Sequence, residues 1–267
     1  MARPGAYDAA VLGVVGVVHA SSKPDINNKG DPGLVIVPAI CKWGVSAAAL
    51  STAQSGPTRH PHAEDEWNDA VVEQVKELGA SAPPPLKYHA SKVVSERALW
   101  AFFAKRQPHF DGVALLVAYV LGPPTEFSTT YGQVTASSSA LIPWMTRPMG
   151  TAALSEPFYP YVDSYDAAVA ALKTPAAGGE RILLQAGPVF GNDFALAVQR
   201  VLHDPRLTPG NPDPVFRAQL EATAATFETT KARRMLGLAY TPKDACLDAT
   251  VEGVRDVLAT AKSGVRR

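Results

Sequence analysis

The stretch that decides the fold is Tyr88–Trp100, "YHASKVVSERALW", which follows three consecutive prolines. It continues into an apolar stripe of helical spacing and predicts a helix over Tyr88–Arg106. Tyr88 and Lys92 are four residues apart, so a phenol and an ammonium share one face of that helix. The apolar run Val113–Tyr119 comes next and predicts a strand buried on both faces. A helix followed by such a strand is typical of a parallel sheet covered by helices.

The same alternation extends in both directions from this stretch. Two further apolar runs, Val14–His19 and Arg181–Gln185, predict buried strands. Five more helices are predicted from periodicity and capping residues: Glu66–Leu78, Ser164–Leu172, Asn192–Leu202 with Asn192 or Asp193 as its cap, Glu228–Leu236 and Ala245–Lys262. Strands that alternate with helices predict an α/β fold.

Composition narrows the class of protein. The 267 residues are enough for one large domain, or for one domain with a smaller lobe. Lysine plus arginine equal aspartate plus glutamate at 25 each, which gives no electrostatic reason to expect nucleic acid or a membrane surface as partner. Cys41 and Cys246 have no metal-ligand spacing, so we expect no metal site and a reduced, cytoplasmic protein. No apolar run reaches the length of a membrane span.

The apolar stretch Ala9–Ser22 has two interpretations. A short valine run before His-Ala-Ser-Ser superficially matches a secretory leader with a cleavage site. Pro4, Gly5 and Asp8 interrupt the charged-then-apolar pattern that a leader needs. We therefore expect a buried strand that runs into a loop at His19.

A long segment from Gly122 to Pro160 is rich in Ser, Thr, Gly and Pro. Loops of this length in a compact domain are usually functional or disordered. Its large side chains suggest the lining of a pocket for a bulky or aromatic substrate: Trp144, Met145, Phe158 and Tyr159. Composition alone fits a surface insertion equally well.

The Tyr88–Lys92 pair suits proton transfer. A nearby ammonium favours the ionised form of a phenol, and a tyrosine tuned in this way can exchange a proton with a substrate oxygen. The lysine has three donors, so it can also hold a sugar hydroxyl. The same spacing is common on solvated helix faces, and the pattern alone does not establish catalysis.

The order of several short stretches carries a more specific signal. "YHASKVVSERALW", then a strand, then "VLGPP" resembles the extended short-chain dehydrogenase/reductase family, within the NAD-dependent epimerase/dehydratase superfamily. The nearest branch contains dihydroflavonol reductase, cinnamoyl-CoA reductase and fungal aldehyde/ketone reductases. Stretches similar to those of this branch follow the same order along the chain: "GVVGVVHASS", "DEWND", "FYPYVDSYDAAVAAL", "GERILLQAG", "NDFALAVQRVL" and "TFETTKARRMLGL". The resemblance covers almost the whole chain.

This resemblance implies a fold and a division of the chain. It implies a partial Rossmann-type parallel sheet with helices on both faces, plus a small C-terminal substrate lobe. Residues 1–122 would form a truncated dinucleotide-binding portion. Residues 123–267 would form mostly the substrate-binding lobe, with 158–190 returning to the main sheet.

The resemblance also assigns catalytic roles. Tyr88 would give a proton to a carbonyl oxygen, while Lys92 would hold the nicotinamide ribose and lower the pKa of the tyrosine. Ser46, with Ser51 as second choice, would polarise the carbonyl. A serine that merely caps a turn is the competing interpretation of Ser46.

A second group of residues is implied to bind NADP, or NAD in its place. They would lie where open α/β sheets bind ligands, at the carboxyl ends of strands: His19, Ala20, Ser21, Leu121, Gly122 and Pro123, together with Lys92. For His19 itself, a histidine buried in the core is the stronger alternative.

The sequence departs from the family in three places. It lacks the Gly-x-x-Gly-x-x-Gly turn that cradles the pyrophosphate at a helix N-terminus. Only "GLVIVPAICKWGV", interrupted by Pro38, is available for the strand before Ser46. Leu116 and Val117 replace an Asn-Pro pair. We therefore expect the first strands of the family to be missing and dinucleotide binding to be weakened.

Three functions follow from the resemblance. The first is NAD(P)H-dependent reduction of a ketone or aldehyde to an alcohol, in specialised metabolism. The second is a truncated, non-catalytic relative that acts as a binding or interaction protein, in which an exposed sheet edge would favour a homodimer. The third is an epimerase or dehydratase. The sequence does not identify the substrate and does not decide between NAD and NADP.

Overall fold

The computed structural model describes residues 16, 47–48, 60–124, 138–162 and 166–263. Its strands in these ranges are β1 Ala47–Ala48, β2 Ala114–Val117, β3 Tyr119–Val120, β4 Pro157–Val162, β5 Arg181–Leu184 and β6 Gly187–Phe190. Its α-helices there are α1 Asp69–Leu78, α2 Pro84–Arg106, α3 Ile142–Thr146, α4 Asp166–Lys173, α5 Gly191–Leu202, α6 Pro214–Glu221, α7 Thr230–Leu236 and α8 Lys243–Ser263. The predicted strand Val14–His19 lies outside these ranges except for Gly16.

A parallel sheet lies at the centre of the first part of the fold. Its described strands have the order β1-β2-β5, and both pairings are parallel. Ala47 pairs with Leu116, and Leu116 pairs with Leu183. The α/β fold class with a parallel sheet, predicted from the alternation of strands and helices, is confirmed.

Helices cover both faces of this sheet. Ala114, Leu116 and Leu183 pack on one side with Trp100 of α2. The residues between them in sequence point the other way and pack with α4 and α7. Because successive side chains of a strand alternate between faces, runs such as "ALLV" must be apolar throughout. The predicted coverage of both faces is confirmed.

A second, smaller sheet follows directly after β2. The chain leaves the parallel sheet at Ala118 and enters β3, which pairs with β4, and β4 pairs antiparallel with β6. Among the strands described in the segment 158–190, β5 joins the parallel sheet. The other two strands, β4 and β6, pair with each other, and β4 also pairs with β3. The division of the chain at residue 122 stays a prediction.

The later part of the chain has a hydrophobic core of its own. Leu121, Leu141, Phe194, Leu247 and others form one buried cluster drawn from α3, α5 and α8. α5 packs against α8 along this cluster. Trp144 is 3% exposed in the same cluster and contacts Phe194 edge-to-face, with ring centroids 6.3 Å apart. Trp144 is thus a core residue and not the open pocket lining that its loop context predicted.

The segment from Gly122 to Pro160 is more regular than its composition predicted. Its described part contains α3 and β4 together with 3₁₀ turns at Ser138–Leu141 and Thr151–Ser155. Met145 is buried beside Trp144. The side chains of Phe158 and Tyr159 lie outside the described part of the structure.

Helix α2 begins one turn earlier than predicted. The helix was predicted to begin at Tyr88, yet Pro84 and Pro85 occupy its first turn and Pro83 precedes it. Proline is tolerated there because first-turn amides have no partner inside the helix. Tyr88 consequently lies in the second turn, where neighbouring turns restrict its position.

The start of α5 also differs from the prediction. The helix begins at Gly191, so Asn192 and Asp193 lie within its first turn. The Asp193 carboxylate accepts a hydrogen bond from the Phe190 amide at 2.8 Å, which satisfies the donor just before the helix. Asn192 bonds in both directions to the backbone of Asn211 at 2.7 and 3.0 Å. Neither residue is the N-cap that the sequence predicted.

None of the helices in the described ranges is long and apolar enough to cross a membrane. Within those ranges no group of three or more His, Cys, Asp or Glu side chains is placed to hold a metal ion.

Candidate active site

The Tyr88–Lys92 pair lies on a buried face of α2. Lys92 is 6% exposed, and its Nζ atom lies over the Tyr88 ring at 5.4 Å from the centroid. α2 packs against α1, and it also contacts β1 of the parallel sheet. The structure therefore brings together the two side chains that the spacing predicted to share a face.

The electrostatics of Tyr88 differ from the expectation. Burial raises the pKa of the Tyr88 phenol above its ordinary value, because removal from water disfavours the phenolate. The spacing and the family resemblance both predicted that Lys92 lowers this pKa. Since the ammonium lies over the ring face, its contact is a cation–π interaction, and desolvation determines the direction of the shift.

Neighbouring residues fix the first turns of α2. The Ser91 hydroxyl donates to the Tyr88 carbonyl at 2.7 Å. Lys87 is 1% exposed, and its ammonium donates to the Ala80 carbonyl at 2.8 Å, which joins α2 to the turn before it. Burial also lowers the pKa of His89, next to the tyrosine, so this imidazole stays neutral at physiological pH.

The stretch "DEWND" has a structural role behind the pair. Two guanidinium groups lie over the Trp67 ring, with Arg97 at 4.5 Å and Arg181 at 3.8 Å from its centroid. Asp69 accepts two bonds from Arg97, at 2.7 and 2.8 Å. The Asn68 side chain accepts from the Val71 amide and caps α1. This stretch therefore joins α1, α2 and β5.

A buried ion pair completes the connection and was missed by the sequence analysis. Arg181 donates to both oxygens of Glu96, at 2.6 and 3.2 Å, and Glu96 is 2% exposed. Arg181 also donates to the backbone carbonyls of Glu64 and Glu66. The indole N–H of Trp100 donates to Glu96 at 3.2 Å. The available sequence signals were an arginine at the start of an apolar strand and a glutamate four residues after Lys92.

The segment before α1 contacts the loop before α7. The His62 backbone bonds to Thr226 and Glu228 at 2.8 Å each. The His62 ring Nδ1 pairs with Glu66 at 2.6 Å, and its ring lies 5.4 Å from that of Phe227. Burial acts to raise the pKa of Glu66, but the bond from His62 and the nearby histidine charges lower it overall.

Leu121, Gly122 and Pro123 have different roles in the structure. Leu121 is 2% exposed, and its side chain belongs to the core of the second part. Gly122 has φ 150°, a conformation that favours glycine, and a Cβ built there would have no atom within 4 Å. Pro123 lies against Gly253 of α8. Among the described residues, no atom fills the space on the open side of Gly122.

Five predicted site residues lie outside the described part of the structure: His19, Ala20, Ser21, Ser46 and Ser51. The described strand β1 nevertheless shows where the serine stretch meets the sheet. β1 starts directly after Ser46 and pairs with Leu116 and Val117 of β2. Ser51 follows the end of β1 by three residues.

Comparison with known proteins agrees with this architecture, although no family model matches the chain. The chain is 27% identical to ketoreductase azaE of Aspergillus niger, over 94% of its own length and 79% of that protein. It is 29% identical to aldehyde reductase 2 of Sporidiobolus salmonicolor, over 87% and 73%. The resemblance to the extended short-chain reductases is confirmed.

A solved structure shows the same fold. The crystal structure of the yeast methylglyoxal/isovaleraldehyde reductase Gre2, complexed with NADPH, superposes with a TM-score of 0.75 at 19% identity. The match covers 91% of this chain and 77% of that reductase. The two chains therefore share a fold.

Proposed function

We propose that this chain reduces a ketone or aldehyde carbonyl to an alcohol with NADPH, or with NADH in its place. The observation that carries the proposal is the buried Tyr88–Lys92 pair at the start of α2. Two of the relatives with similar sequences are named as a ketoreductase and an aldehyde reductase, and one solved structure of the same fold is an NADPH complex.

The described residues fit a nicotinamide cofactor at one end of the sheet. Lys92 offers ammonium donors beside Tyr88, which suits the two hydroxyls of a ribose. Gly122 lies two residues after β3, and a Cβ there would meet no atom of the described residues within 4 Å. Lys92 would therefore hold the ribose, and the Gly122 backbone would allow close approach of the nicotinamide ring. His19, Ala20 and Ser21 complete the proposed contacts.

Tyr88 supplies the proton. A nicotinamide held there would supply the hydride for the carbonyl carbon. The Tyr88 hydroxyl would give its proton to the carbonyl oxygen, which completes the alcohol. The raised pKa keeps this phenol protonated at neutral pH, as a donor for reduction must be. The Lys92 ammonium stabilises the phenolate that remains.

A serine hydroxyl would polarise the substrate carbonyl, and strand polarity favours Ser51 over Ser46. Ligands of open parallel sheets bind beyond the carboxyl ends of the strands. Ser46 precedes β1, whereas Ser51 follows it. Ser51 is therefore our proposed carbonyl-polarising residue, with Ser46 as the alternative.

The finer assignments extend this proposal. We propose further that the substrate is bulky or aromatic and that the reaction belongs to specialised metabolism. We also propose that the protein forms a homodimer in the cytoplasm. The burial of Trp144 leaves Phe158 and Tyr159 as the aromatic candidates for contact with such a substrate.

Titration with NADPH tests the proposal directly. We expect saturable binding, seen as a change in nicotinamide fluorescence, and NADPH consumption with a panel of aromatic and aliphatic aldehydes and ketones. Lys92→Met should weaken binding, since it removes the ribose donors. An absence of binding at millimolar NADPH would contradict the proposal and would favour a non-catalytic binding protein.

A further inference from the structure

We infer that Arg181 is a positioning residue for Lys92. Its positive charge balances the negative charge of the buried Glu96 carboxylate, which would otherwise draw the Lys92 ammonium away from Tyr88. This inference rests on the proposed function for its effect on cofactor binding. Its geometric part concerns only residues that the structure describes.

The first step is the spacing along α2. Tyr88, Lys92 and Glu96 follow one another at intervals of four residues, so they form a single row on one helix face. Both charged members of the row are buried, at 6% and 2% exposure. A lysine and a glutamate four residues apart are within reach of each other on a helix, and burial strengthens their attraction.

The Glu96 carboxylate accepts hydrogen bonds from two other residues. Arg181 bonds to both of its carboxylate oxygens, and Trp100 adds a third donor. These three donors offset much of the negative charge of the carboxylate, which weakens its attraction for the Lys92 ammonium. Lys92 can then extend toward Tyr88, over whose ring its ammonium lies.

The third step is the rigidity of Arg181. Its guanidinium is stacked on Trp67 at 3.8 Å and donates to the backbone carbonyls of Glu64 and Glu66. A planar group with several donors satisfies all these contacts together, which a lysine ammonium cannot do. These contacts hold the guanidinium in the position from which it bonds to Glu96.

Four variants test the inference at a temperature well below unfolding. Arg181→Met leaves the Glu96 carboxylate without its arginine partner, and Glu96→Gln removes the negative charge itself. The double variant removes both members of the ion pair. Arg97→Met is the matched control, because Arg97 also lies over the Trp67 ring but pairs with the exposed Asp69 and not with Glu96. Each variant is titrated with NADPH, and each is crystallised without cofactor.

The expected results separate positioning from general stabilisation. Arg181→Met should raise the Kd for NADPH about tenfold to a hundredfold, the range of a lost bond to a charged group. In its crystal structure, Lys92 Nζ should move from the Tyr88 ring to Glu96. Glu96→Gln, the double variant and Arg97→Met should each keep both the wild-type Kd and the wild-type place of Lys92.

Two outcomes would overturn the inference. One is weakened NADPH binding in Glu96→Gln equal to that in Arg181→Met, which would show that the ion pair acts only as an anchor between α2 and β5. The other is a Lys92 side chain that stays over Tyr88 in Arg181→Met. If wild-type protein binds no NADPH, the proposed function fails, while the crystal structures still decide the placement of Lys92.

Discussion

The Lys92 ammonium lies over the face of the Tyr88 ring, with Nζ 5.4 Å from the ring centroid. The two residues are neighbours along one face of α2, and burial of the phenol raises its pKa. A tyrosine in this state is a proton donor that stays protonated at neutral pH. The charge beside it becomes important when the proton leaves.

Replacing the proton donor should abolish turnover without loss of the fold. Tyr88→Phe retains the ring under Lys92, and the Ser91 bond to the backbone of residue 88 is unaffected. We expect carbonyl reduction to fall by about 10²–10⁴-fold, the usual contribution of a positioned acid. Steady-state kinetics and thermal unfolding measure the two properties. Tyr240→Phe, on the other side of the parallel sheet, is the control and should keep full activity.

The pH dependence of reduction should follow the raised pKa of Tyr88. Because the pKa lies above the ordinary value of 10.0, the phenol is protonated throughout the neutral range. We expect kcat for reduction to stay level through neutral pH and to fall only above about pH 10. Alcohol oxidation needs the phenolate and should therefore rise with pH. A decline of the reduction rate near pH 7 that vanishes in Tyr88→Phe would instead show that Lys92 lowers the pKa.

Local patterns were sufficient to predict some features of the site and insufficient for others. Tyr88 and Lys92 could be paired from sequence because helical spacing alone determines that they share a face. The contact between Arg181 and Glu96 joins residues 85 positions apart, and no local pattern encodes such a distance. Trp144 looked available for a pocket because composition does not reveal which face of a short helix packs inward.

Helix boundaries show the same division between local and tertiary information. The end of α2 at Arg106 was predicted correctly from the loss of periodicity. Its start was placed four residues late, because proline ends a helix when it is internal but is accommodated in the first turn. At α5, the prediction used Asn192 and Asp193 as caps by residue type. Their actual partners, Asn211 and the Phe190 amide, depend on the folded chain.

Adding a methyl group at Gly122 should impair cofactor binding. The residue has φ 150°, and its open side lies where we place the nicotinamide. Gly122→Ala combines backbone strain, about 1–3 kcal/mol, with a Cβ in that space. Gly237→Ala is a matched control, since Gly237 also has positive φ (64°) and no atom within 4 Å of an added Cβ. Both variants should lose stability in chemical unfolding, but only Gly122→Ala should raise the Kd for NADPH. Equal Kd values for the two variants would place the cofactor elsewhere.

The two serines near β1 should differ in their effect on catalysis. Ser51 follows the strand and Ser46 precedes it, while Ala47 and Ala48 between them pair with Leu116 and Val117. A hydroxyl that polarises the carbonyl contributes mainly in the transition state, so its loss lowers kcat more than it changes cofactor binding. We expect Ser51→Ala to reduce kcat about 10²–10³-fold, as for other oxyanion donors, with an unchanged Kd for NADPH.

Ser46→Ala should retain activity within about threefold of wild type, because its side chain would be at the amino end of β1 and away from the ligand. The opposite ranking would return the catalytic role to Ser46 and would mean that the residues before β1, and not those after it, reach the substrate.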